Sequence, residues 1–93
     1  MQTMTCDLKI HNFTNMVEFE DKGLTVIPLI TEWGVTLKFK RQGRTLPWRV
    51  TMNHAGQCSI YKPATETLPR VELSGQYEEM QMMMVNFIQG GWI

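Results

Sequence analysis

The sequence predicts an α+β fold: a curved antiparallel meander of about five to seven short strands with one C-terminal helix packed on it. Three observations predict it. Most of the chain consists of short runs in which apolar and polar residues alternate, the period of a strand with one buried face. Short loops containing Gly separate several of these runs, as hairpins require. Only Gln76 to Gln89 changes to a spacing of three and four, and Gly90-Gly91 then stops it.

In order, Thr3 to Ile10 alternates, with Met4, Cys6, Leu8 and Ile10 on one face, and reads as a first strand. Val17 and Phe19 alternate with Glu18 and Glu20 as a second, and Asp21-Lys22-Gly23 closes a hairpin. Leu24 to Ile30 is apolar on both faces except at Thr25 and Pro28, and Pro28 implies an edge position or a bulge. Val35, Leu37 and Phe39 alternate with Thr36, Lys38 and Lys40. Trp48, Val50 and Met52 alternate with Arg49, Thr51 and Asn53. Cys58 to Lys62 is a further short strand, and Arg70 to Leu73 fits a last one after the Pro63–Pro69 loop. Ser74 is the expected helix N-cap, with Glu78 and Glu79 in the first turns. Tyr77, Met80, Met84, Phe87 and Ile88 form its buried stripe, and the Trp92-Ile93 tail is expected to dock on the fold.

The chain has 93 residues, 43% of them hydrophobic, which suits one domain over 1–93 and one modest core. No apolar run is long enough to span a membrane, and no signal-like start is visible, so a cytoplasmic protein is expected. Nine basic residues balance nine acidic ones, which disfavours a generic polycation or an acidic mimic. The zero hides a segregation. Trp33 to Thr65 holds six bases (Lys38, Lys40, Arg41, Arg44, Arg49, Lys62) and no acid, while the rest holds three bases against nine acids. Alternation places Lys38, Lys40 and Arg49 on one solvent face, with Arg41 and Arg44 at its rim. Lys62 and Tyr61 complete the candidate partner-binding set.

Catalysis and metal binding are not expected. Cys6, His11, His54 and Cys58 are the only Cys and His residues, and their spacing matches no standard zinc site. A Cys58–His54 pair lacks a third orienting group, and no phosphate loop or cofactor motif occurs. Met82 and Val85 fall outside the helix stripe and, with Trp92, form a candidate self-association patch.

The expectation is therefore a small non-enzymatic binding module acting by surface occupation. Phages and mobile elements carry inhibitors of this kind, and the expected target is a host protein complex that handles nucleic acid. Direct nucleic-acid binding through the basic meander face is the alternative, with Tyr61 or Trp33 stacking on bases. A homodimer or larger oligomer built through the Met-rich helix is the third.

Overall fold

The computed structural model describes residues 4–93, with side chains from residue 8 onward. The elements run α1 (Met4–Glu20), β1 (Leu24–Thr31), β2 (Gly34–Arg41), β3 (Arg44–Asn53), β4 (Gln57–Lys62), β5 (Val71–Gln76) and α2 (Tyr77–Gln89). The five strands form one antiparallel sheet in chain order, β1-β2-β3-β4-β5. The α+β meander is as expected, and β1 with Pro28 is an edge strand.

The N-terminal segment differs. The runs expected as two strands, Thr3 to Ile10 and Val17 to Glu20, belong to a single helix; Thr3 itself lies outside the described residues. Ile10, Phe13 and Val17 recur at intervals of three and four, and all three are buried. That stripe covers β1 and the side of α2, whereas Leu8 and Phe19, placed by alternation in strand interiors, stay exposed. Asp21 ends this helix instead of opening a hairpin. Its N–H donates to the Val17 carbonyl at 3.0 Å, its carbonyl accepts from Leu24 N–H at 3.0 Å, and its carboxylate accepts from Gly23 N–H at 3.1 Å.

The second helix also begins later than Ser74 suggests. Ser74 stays in β5, and the Glu79 carboxylate accepts the Gln76 N–H at 3.2 Å as the helix opens. At the other end, Gly91 takes a φ of 79°. Gly91 N–H then donates to Ile88 and Trp92 N–H to Phe87, the paired bonds that close a helix through a left-handed residue. The turn folds the tail back, so that Trp48, Phe87 and Trp92 form an aromatic chain with ring centroids 5.1 and 5.2 Å apart. The expected docking of the tail is thus realised on the protein's own core.

Both helices pack on one side of the sheet. The core lies between these layers, built from Val35, Leu37, Phe39, Trp48, Val50, Met52 and Ile60 of the sheet with Phe13, Val17, Met80 and Met84 of the helices. Gly34 allows the first turn of β2 to press on β3, where any Cβ would collide with the Met52 carbonyl. Arg41 ties the end of α1 to the β2–β3 hairpin through a forked pair with Asp21, at 2.7 and 3.3 Å.

Two outcomes follow. Phe13 is fully buried, so Phe13→Ala should lower unfolding stability by about 3–5 kcal/mol in denaturant titration. Loss of a few tenths would mean that α1 does not pack on the sheet. The hydrogen bonds from Arg41 hold the Asp21 carboxyl below its ordinary value of 3.8. A depressed folded value gives stability that is present above the unfolded value and lost as pH falls through the folded one. Asp21→Asn should therefore cost about 1 kcal/mol near neutral pH, and the difference from the unaltered protein should vanish in strong acid.

Candidate binding face

Strand register arranges the polar side of the meander. The pairings Ile27↔Lys38, Lys38↔Arg49, Arg49↔Tyr61 and Tyr61↔Glu72 make one row across all five strands. The next row is Leu29, Thr36, Thr51, Ser59 and Ser74. These rows alternate with the core residues and lie on the side opposite the helices, where no described element covers them.

The expected basic residues do not all share this face. Lys38 and Lys40 lie on it, Lys40 paired in register with Thr25 and Thr45. Arg49 lies on it too, but its guanidinium bends back to its own strand and donates to the Leu46 and Trp48 carbonyls at 2.8 and 2.7 Å. Those carbonyls sit where the β2–β3 register shifts between Lys38 and Lys40, so Arg49 supplies donors beside a broken ladder. Arg41 is in phase with Leu37 and Phe39, points to the helix side, and is held by Asp21. Arg44 is exposed at the hairpin tip.

Lys62, a member of the candidate partner-binding set, is buried, at 2% exposure. It shares the phase of Cys58 and Ile60, so its stem enters the core side. Its ammonium donates to the Pro63 carbonyl at 2.8 Å and lies 5.8 Å from the Trp48 ring centre. Among the described residues, the cations of the region without an acidic or carbonyl partner are thus Lys38 and Lys40 on the face and Arg44 at its rim.

The apolar side of the face is larger than the sequence reading implied. Trp33 stands 78% exposed in the β1–β2 turn, and Leu29 of the same face is exposed just before it; Ile30, also exposed, is paired with Val35 and turns to the helix side beside Ile10, His11 and Thr14. Trp33 flanks a shallow groove of about 370 Å³ whose floor includes Thr36, Thr51 and Ser59. Leu29 and Ile30 were not singled out beforehand, although a strand apolar on both faces at a sheet edge signals exposed apolar surface. Tyr61 is partly exposed in the central row.

In the proposed self-association set, Met82 is exposed and Val85 half-buried. Trp92 is instead stacked on Phe87. Cys58 is buried, and that burial pushes its thiol up to about 11, so it is a poor nucleophile at neutral pH. His54 sits in the exposed turn after β3. Among the described residues no group of three or more His, Cys, Asp or Glu converges on a point, and no helix is long and apolar enough to cross a membrane.

No protein-family model, curated protein or solved structure matches this chain.

Burial of Cys58 has a direct readout. In a Cys6→Ser background, a thiol reagent at mildly alkaline pH should label Cys58 only after denaturant is added. Rapid labelling of the native protein would show that β4 opens without global unfolding.

Proposed function

We propose that the protein is a small non-enzymatic binding module that acts by occupying a protein partner's surface, in the manner of an inhibitor. The observation that carries this reading is the pairing of exposed Leu29 and Trp33 at one end of an uncovered sheet face that carries Lys38 and Lys40. An exposed Trp with an aliphatic neighbour is the composition of a protein-interface anchor, and the lysines add long-range attraction to an acidic surface. An acidic, nucleic-acid-mimicking or nucleic-acid-handling surface suits such a face. Binding there excludes whatever the target surface normally holds.

Direct binding to nucleic acid is the second reading, favoured by Tyr61 standing in the same row as Lys38. Charge supply weighs against it. Three free cations limit the slope of log affinity on log salt to about 2–3, which is shallow for a protein that holds single strands by charge. Leu29 adds little to phosphate or base contacts.

Capture of partners from lysate with and without nuclease separates the two readings. A stoichiometric protein partner that survives nuclease supports the first. Trp33→Ala should then weaken it by at least tenfold, mainly through faster dissociation. Lys38→Glu with Lys40→Glu should slow association and flatten its salt dependence. Capture that disappears with nuclease, together with direct binding to oligonucleotides at low salt, would transfer the assignment to nucleic acid.

A further inference from the structure

The two edges of the sheet are finished differently. In β1, the residues whose N–H groups point away from β2 are Leu24, Val26, Pro28 and Ile30, as the register and their outside partners show. Leu24 N–H is held by the Asp21 carbonyl, Val26 N–H by the Glu18 carboxylate at 3.1 Å, and Pro28 has no N–H. Among the described residues only Ile30 is left without a partner, so a strand laid along β1 would find a single donor there. Blocking of this kind protects an edge from pairing.

In β5 the phase is set at its end, where Tyr77 N–H bonds to the Gly56 carbonyl across the β4–β5 register and Gln76 N–H turns outward to Glu79. Glu72 and Ser74 share the phase of Gln76, so their N–H groups also face outward. Among the described residues neither has a partner, and no helix or strand lies along that edge. On the helix side the edge is bordered by half-buried Leu73.

We infer that β5 is a strand-addition edge, and that its occupant is a second copy of this chain, joined antiparallel through β5 about a two-fold axis. Charge selects the copy and the register. Outward groups on a self-paired antiparallel edge must meet in pairs of the same phase. Setting Glu72 against Glu72 of the partner subunit opposes two carboxylates, and sliding toward α2 brings Gln76, whose N–H is already used, onto the seam. The register that sets Arg70 against Glu72 of the partner subunit avoids both faults. By symmetry it makes two Arg–Glu pairs about an axis at Val71, and once Arg70, the residue before β5, extends the strand by one, each pair also exchanges two backbone hydrogen bonds. Arg70 already lies 3.4 Å from Glu72 of its own chain, on the same exposed face. The pairing therefore joins two existing ion pairs into a network of four charges. The two sheets become one, with both helix layers on the same side and both open faces continuous. The partner-binding face proposed above is then presented twice.

Sedimentation over a wide concentration range tests this, with circular dichroism to confirm that each variant folds. The unaltered chain should show a concentration-dependent dimer. Arg70→Glu and Glu72→Arg should each weaken it about tenfold or more, because like charges then meet across the seam. The double exchange, Arg70→Glu with Glu72→Arg, should restore it. Glu72→Pro should abolish it, since that position gives no N–H to the β4 ladder, just as Pro28 gives none to β2. A single-chain mass at the highest concentration overturns the inference. So does a dimer that survives either single charge reversal or the folded proline variant. If the proline variant does not fold, the charge reversals and their rescue decide. Because the readout is mass, this inference stands or falls without reference to partner capture.

Discussion

The register of the meander is the constraint on which the rest depends. Leu37, Val50 and Ile60 are paired across β2, β3 and β4, and one step along the strands Lys38, Arg49 and Tyr61 are paired in the same way. A slip of one residue in any strand would exchange these sets, carrying lysine into the core and valine into water. Between Lys38 and Lys40 the ladder is irregular, and the Arg49 guanidinium bonds to two carbonyls of the irregular stretch, those of Leu46 and Trp48. Arg49 is thus placed to hold the register where it is weakest, and Trp48 beside it turns into the helix layer against Phe87. A side chain that looks like a binding group by charge is committed to the geometry of its own strand.

Register also determines what each edge can do. Because hydrogen-bonding direction alternates along a strand, the residues that close one edge must all share a phase. In β1 Pro28 has that phase, and Glu18 and Asp21 reach the two positions before it. The helix α1 therefore does more than cover the core: its C-terminal turn occupies the edge donors of β1. No comparable element follows β5, because the chain turns at Gln76 directly into a helix that packs above the sheet. The open edge is a consequence of where the chain has its last strand.

The meander was legible in the sequence because period-two alternation and Gly turns report the same thing, and edge strand β1 was legible from Pro28. The first helix was not. Met4 to Ile10 alternates as cleanly as a strand, and alternation over so few residues is compatible with a helix whose apolar positions, Ile10, Phe13 and Val17, begin only where the alternation ends. Reading the window from 10 to 17 at period 3.6 would have recovered it. Including Lys62 among the partner-binding residues rests on local charge, although its phase with Cys58 and Ile60 points to the core; a long stem lets a lysine occupy a buried position with its ammonium at the strand end. The pairing of Arg41 with Asp21 was hidden because it depends on α1, and the chain was expected to have a hairpin there.

What survives of the charge segregation is a two-sided molecule. Glu18, Glu20, Asp21, Glu78 and Glu79 belong to the helix layer and its ends, while Lys38 and Lys40 stand on the opposite face of the sheet. The two sets lie on opposite sides of one sheet but close together: Asp21 bonds Arg41, the chain neighbour of Lys40, and Glu18 bonds the N–H of Val26, whose partner Phe39 stands between the two lysines. A partner approaching the open face meets the lysines first, with Glu72 of that face already beside Arg70. A partner approaching the helices meets the reverse. The net charge of zero cancels only at distances where no contact is being made. Within contact range it acts as an orienting device, turning the open face toward an acidic surface before Trp33 and Leu29 can engage.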